Sequence, residues 1–172
     1  MSEIYPLNLL SVSAKLLTVL QAWSTVAWSL FPQCFPIIAS ELLVICLAKN
    51  IEVDSAGTAG YHIGKQPDFR SIDIAKKYDI DLTSQRARQF STRDFDDFNK
   101  IYVMDNDNYS KIISLARNQD DMDKVDLILN EIYPEEYKSV PDPYYGGDEG
   151  FQNIYNLLET SCEVIAKKYE TR

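Results

Sequence analysis

The chain has 172 residues, 17 of them Lys or Arg and 26 Asp or Glu, for a net charge of -9 and a length that suits one domain. That acidic balance argues against a nucleic-acid reader and against charge-driven attachment to anionic lipid, since both need clustered Lys and Arg, though a local basic pocket remains open. Three widely spaced cysteines, Cys34, Cys46 and Cys162, with His62 as the sole histidine, argue against a disulfide scaffold or metal site. No cofactor is expected, and a reducing, cytoplasmic compartment is.

Charge is spread unevenly. Residues 1–48 carry only Glu3, Lys15 and Glu41, and this stretch also lacks glycine (the first is Gly57) and arginine (the first is Arg70). From Leu16 to Ser40 no residue is charged, a run long enough in principle to cross a bilayer. Thr18, Gln21, Ser24, Thr25, Ser29 and Gln33 dilute it, Pro32 and Pro36 interrupt it, and no Lys or Arg cluster orients it, so buried helix or disorder is the simpler reading. The missing basic cluster before the run also argues against a signal peptide.

From Lys49 the pattern becomes that of a globular α/β domain. Ile51–Asp54 alternates as a short strand and opens into the small-residue loop Ser55–Gly60. Asp68 is placed to cap a helix with Ile72, Ala75 and Tyr78 on its apolar face, and Ser91-Thr92-Arg93-Asp94 starts another. Lys100–Met104 reads as a buried strand ending at Asp105, Tyr109–Ala116 as a helix, and Val125–Leu129 as a further strand. The final helix is expected over about Glu149–Tyr169, with Phe151, Ile154, Leu157, Leu158, Ile165 and Tyr169 facing the sheet. Alternation of this kind predicts a doubly wound, mostly parallel sheet, whose ligands bind beyond the strand carboxyl ends. Ser55–Gly60, Asp105–Asn108 and Pro141–Gly147 are expected to converge there.

The most informative segment is Val140-Pro141-Asp142-Pro143-Tyr144-Tyr145-Gly146-Gly147. Prolines on both sides restrict the Asp142 backbone, and paired tyrosines can wall a pocket for an aromatic ring. A rigid carboxyl beside aromatic faces suits protonation of a leaving group. Taken from spacing alone, a Pro-rich turn with surface tyrosines is the competing reading.

Ile51–Gly64, Gln85-Arg86-Ala87-Arg88-Gln89, Tyr102-Val103-Met104-Asp105 and Asp142-Pro143-Tyr144-Tyr145-Gly146 together resemble the low-molecular-weight protein tyrosine phosphatases in content, order and spacing, over about residues 49–172. The resemblance implies a four-stranded parallel sheet with helices on both faces, and two-step hydrolysis of phosphotyrosine or another aryl phosphate. In that family a cysteine thiolate attacks phosphorus, an arginine and backbone N–H groups hold the phosphoryl oxygens, and an aspartic acid protonates the departing phenol. Asp142 matches that acid, which then serves as base toward water. Tyr144 and Tyr145 match the residues flanking the substrate ring, Ser55 a hydroxyl supporting the phosphate loop, and Asp105 the aspartate after the third strand.

One part is missing. The family's nucleophile lies near the amino terminus in Cys-x5-Arg, because the thiolate must sit in a phosphate cradle with a forked arginine. Six residues beyond Cys34, Cys46 and Cys162 stand Ser40, Glu52 and Lys168, so no nucleophile is identified. Val44-Ile45-Cys46-Leu47 resembles the family's first strand, but it lies too close to Ile51 for a parallel crossover. The first strand and loop therefore read as aberrant, with residues 1–48 an atypical apolar segment in their place and residues 49–172 the phosphatase-like domain. A complete sheet requires part of residues 7–20 to supply a strand and residues 21–48 the crossover. Two accounts of the seam stay open: a shifted reading frame or misplaced exon boundary, and genuine divergence.

Three functions compete: a phosphotyrosine phosphatase defective as written, a catalytically dead binding or regulatory module, and, last, an arsenate-reducing relative. His62 reads as a solvated loop imidazole and Cys162 as a packed thiol. The clusters Asp94, Asp96, Asp97 and Asp120, Asp121, Asp123 read as solvated charges, and Arg86 and Arg88 as surface residues.

Overall fold

The computed structural model describes residues 14–20, 51–61, 63–141 and 147–170. Its elements in chain order are β1 (Ala14–Leu20), β2 (Ile51–Gly57), α1 (Phe69–Lys77), α2 (Asp94–Asp97), β3 (Lys100–Val103), α3 (Asn106–Leu115), α4 (Gln119–Asp123), β4 (Val125–Leu127), a 3-10 turn at Ile128–Glu131, and α5 (Gly147–Glu170). The strands form one four-stranded sheet in the order β2-β1-β3-β4. Every pair is parallel, with Leu20 level with Gly57, Val19 with Val103, and Val103 with Leu127.

The central place beside both β2 and β3 is taken by Ala14–Leu20, so the sheet crosses the compositional seam. The strand needed to complete the sheet comes from within residues 7–20. The first residues of the uncharged Leu16–Ser40 run thus belong to a strand, and among the described residues no helix is long and apolar enough to cross a membrane.

Period-two alternation in β3 divides the core between two faces. Tyr102 and Met104 meet Ile74 and Ala75 of α1, Ile128 and Leu129, and Ile154, Tyr155, Leu158, Cys162, Ile165 and Ala166 of α5. Ile101 and Val103 meet Phe90, Phe95, Phe98, Ile112, Val125 and Leu127 on the other face. Both faces are covered, as the doubly wound reading requires. Leu157 and Tyr169 pack at the margin of the first cluster, while the side chain of Phe151 lies outside the described residues.

Several expectations shift in detail. Asp68 does cap α1, accepting from the Arg70 backbone N–H at 2.7 Å, but the buried stripe runs through Ser71, Ile74 and Ala75. Tyr78 is exposed at its rim, stacked on Tyr155 at 3.9 Å. β4 stops at Leu127, because Ile128 and Leu129 turn into the 3-10 segment while remaining buried. α3 begins at Asn106, earlier than the apolar periodicity indicates, since the Asp105 carboxylate accepts from the Asn108 backbone N–H at 2.7 Å and starts the helix there.

The two acidic clusters are not uniformly solvated. Asp94 is 5% exposed and Asp121 3%. Asp94 accepts from the Ser91 backbone N–H at 2.7 Å and pairs with Arg88 at 3.0 Å, while Asp121 pairs with Arg117 at 2.7 Å. Arg117 also bridges to Asp96 at 2.6 Å. In each cluster one carboxylate turns inward because an arginine and a backbone N–H replace the water it loses.

Candidate active site

Parallel strands with level ends put four carboxyl termini on one edge. The β2 end there is tightly held. Ser55, buried, donates its backbone N–H to Asp54 Oδ1 at 2.7 Å, and Asp54 Oδ2 accepts from Arg88 Nε at 2.8 Å. Arg88 reaches on to Asp94, and its side chain is 33% exposed. Burial works to lower the guanidinium pKa; Asp94 and Asp54 outweigh it and leave the group above its ordinary value. Arg88, expected at the surface, is therefore an internal tie. Its backbone joins in: Gly57 donates to the Arg88 carbonyl at 2.9 Å and Phe90 to the Gly57 carbonyl at 2.8 Å. Arg86, in contrast, is spent on the nearby carbonyls of Thr83 and Gln85.

Beyond β3 comes Asp105, buried and capping α3. The segment that leads to Asp142 is fastened beside it. Val140 donates its N–H to the Met104 carbonyl at 2.7 Å. Asn106 donates from its backbone N–H to Ser139 Oγ and from Nδ2 to both Ser139 Oγ and the Tyr137 carbonyl, all at 3.3 Å. Glu135 and Tyr137 in this run have φ of 64° and 48°, left-handed values that cost a non-glycine residue roughly 1–3 kcal/mol each. The structure thus brings Ser55, Asp105 and Pro141 to the same edge, and α5 leaves from Gly147. Asp142, Tyr144, Tyr145 and His62 lie outside the described residues.

Two polar groups that sequence reading missed lie just beyond β3 and β2. Asn108, on the inward stripe of α3 one turn before Ile112, is 0% exposed, and neither its Nδ2 nor its Oδ1 has a partner. Thr58, immediately after β2, has a buried Oγ1 without a partner. Each such group costs about 1–3 kcal/mol. The available signal was an Asn placed three residues after a capping Asp and four before a core Ile.

Of the three cysteines, Cys162 is the one among the described residues. Cys34 and Cys46 lie outside them. Glu52, which stands where Cys46 would need an arginine, is exposed at the amino end of β2, the wrong end of the strand. Cys162 is a core thiol in α5, and Lys168 binds Glu131 at 2.7 Å.

The family model for low molecular weight phosphotyrosine protein phosphatase matches residues 36–171. The chain belongs to that phosphatase family. A putative low molecular weight protein-tyrosine-phosphatase of Synechocystis is 42% identical over 118 residues, 67% of this chain and 73% of the relative. The human low molecular weight phosphotyrosine protein phosphatase is 33% identical over 123 residues, 71% and 77% of the two chains. Among solved structures, a protein tyrosine phosphatase from Entamoeba histolytica superposes with a TM-score of 0.78 at 30% identity, covering 92% of this chain and 98% of that one.

Proposed function

We propose that the chain is a phosphotyrosine phosphatase homologue that keeps the proton-transfer and aryl-binding half of the site and lacks the half that attacks phosphorus. Asp142 is the proton donor to the leaving phenolate oxygen and, in the second step, the base toward water. Tyr144 and Tyr145 flank the aromatic ring, and Ser55 and Asp105 support the phosphate side. Residues 1–48 stand in for the family's first strand, phosphate loop and helix, with Ala14–Leu20 as the strand. Hydrolysis through a phosphocysteine is consequently lost or severely slowed, because no Cys-x5-Arg is present.

The observation that carries the reading is the bond from Val140 to Met104, which starts the Asp142 loop at the carboxyl edge beside Asp105. The buried, unpartnered polar groups of Thr58, just after β2, and Asn108, just after β3, leave hydrogen-bonding capacity near that edge.

Turnover of an aryl phosphate by the purified polypeptide, beside Asp142→Asn, tests this. The expected result is no release of phenol above buffer from either protein. Turnover that disappears in Asp142→Asn, with a phosphorylated thiol trapped at Cys34 or Cys46, refutes the missing nucleophile while upholding the acid. Turnover indifferent to Asp142→Asn refutes the role of the acid. No turnover with retained capture of a phosphotyrosine peptide favours the binding-module alternative.

A further inference from the structure

We propose that Tyr137 is a phosphorylation site, the acceptor for a tyrosine kinase that recognises acidic segments. Among the described residues it is the tyrosine that combines exposure, an acidic approach and a backbone outside helix and sheet. Residues 133–139 are all exposed, and Tyr137 shows 64% of its surface. Glu135 and Glu136 stand immediately before it, both on the surface. The other described tyrosines each lack one of these features. Tyr61 is 79% exposed, but residues 55–60 hold no carboxylate. Tyr109 follows Asp105 and Asp107 but is set in α3, and Tyr78 lies stacked on Tyr155. Tyr133 is covered by the Lys138 ammonium, 4.1 Å from its ring centroid, and the Glu131 before it is bonded to Tyr102 and Lys168. Tyr169 follows two lysines in α5, and Tyr102 and Tyr155 are buried.

The turn that carries Tyr137 is built to open. It is fastened at its ends, where Tyr133 donates its N–H to the Leu129 carbonyl at 2.8 Å and Val140 donates to the Met104 carbonyl at 2.7 Å. Between these anchors the bonds are longer. Glu136 donates to the Tyr133 carbonyl and Asn106 Nδ2 to the Tyr137 carbonyl, at 3.3 Å each. Glu135 and Tyr137 have φ of 64° and 48°, so drawing this stretch into an extended form relieves backbone strain. Local opening at low cost is what a modifying enzyme requires of a loop that it must seat. The two glutamates then match a basic substrate groove. In the transfer, the Tyr137 hydroxyl oxygen attacks the terminal phosphorus of a nucleoside triphosphate held by the kinase. The new O–P bond replaces the one to the bridging oxygen, the nucleoside diphosphate leaves with that electron pair, and the phenolic proton passes to a carboxylate of the kinase. The product carries about -1.5 to -2 charges beside Lys138, which is then shared between the phosphate and Glu136, its present partner at 2.5 Å.

The full chain is incubated with ATP and a tyrosine kinase domain that prefers acidic peptides, with vanadate present so that no phosphatase removes the product. Phosphate at each tyrosine is measured by mass spectrometry. The same is done for Tyr137→Phe and for the double variant Glu135→Gln, Glu136→Gln, which keeps the acceptor and the size of both side chains. Phosphate at Tyr137 is expected to exceed that at Tyr61, Tyr78, Tyr109 or Tyr133 by about tenfold or more, and the initial rate at Tyr137 to fall about tenfold in the double variant. Tyr137→Phe abolishes that phosphate without raising the amount at Tyr61. Absence of phosphate at Tyr137 overturns the proposal, as does labelling that follows exposure with Tyr61 ahead. An undiminished rate at Tyr137 in the double variant refutes the acidic recognition. Hydrolysis of aryl phosphate by the unaltered chain, measured without vanadate, bears on the phosphatase reading and leaves this result as it stands.

Discussion

Replacing Asp94 by Ala removes a carboxylate that serves two partners from a nearly dry position. Its bond to the Ser91 backbone N–H, at 2.7 Å, is charge-assisted and contributes about 1.5–3 kcal/mol. The substitution also strips Arg88 of one of two carboxylates. Breaking a fully buried pair costs about 3–5 kcal/mol. Here the penalty is smaller, because Arg88 is one-third exposed and keeps Asp54 at 2.8 Å. A total loss of about 2–3 kcal/mol follows, which lowers the thermal midpoint of a chain this long by roughly 5–10 °C. The internal comparison is Asp97→Ala, whose carboxylate meets Arg93 at 3.3 Å on an open surface and is worth at most about 0.5 kcal/mol. Urea and thermal melts of both variants decide the matter. Equal losses, within about 0.5 kcal/mol, refute the inward orientation of Asp94 and return the whole cluster to solvent.

Two pH predictions follow from other pairs. Arg117 bonded to Asp121 holds that carboxyl down at about 2, against burial acting the other way. A depressed folded-state pKa means stability that is complete above about pH 4 and fades as pH falls toward about 2; Asp121→Asn removes that acid limb, and acid titration of the fold by circular dichroism checks it. Burial, then the neighbouring Glu131 carboxylate, pushes the Tyr102 phenol far above its ordinary value, and its hydroxyl donates to Glu131 at 2.7 Å. The contribution of that bond is present below about pH 10 and declines above it. Tyr102→Phe costs about 1–2 kcal/mol at neutral pH and flattens the alkaline limb, which urea midpoints at pH 7 and pH 11 measure.

The sequence spoke most clearly where one local pattern sufficed. The apolar run Ile101–Met104 between Lys100 and Asp105, the Asp68 cap and the apolar stripe of the last helix each rest on neighbours within a turn or two. β1 was harder, because a central parallel strand is covered on both faces and reads as a continuous apolar run rather than an alternation. Within the charge-poor stretch before Lys49 nothing marks where such a run starts pairing. The burial of Asp94 and Asp121 was hidden for a different reason: a carboxylate turns inward only when a cation is delivered to it, and Arg88 arrives on the long connector between α1 and α2. At the site, Ser55 and Asp105 could be placed from strand ends alone. Asn106 could not, since its partners Tyr137 and Ser139 lie on the far side of β4, and no local periodicity links them.

The position of Ala14–Leu20 at the centre of the sheet sets the order of events during synthesis. This apolar segment leaves the ribosome before either partner strand, since those begin only at Ile51 and Lys100, so it must wait with both edges unpaired while they are made. Contacts between such distant parts of a chain form slowly, and a β-prone stretch waiting for them is open to pairing with other nascent chains. Production of this protein is therefore expected to depend on slow translation or chaperone cover during its first hundred or so residues, a demand set by topology rather than by final stability.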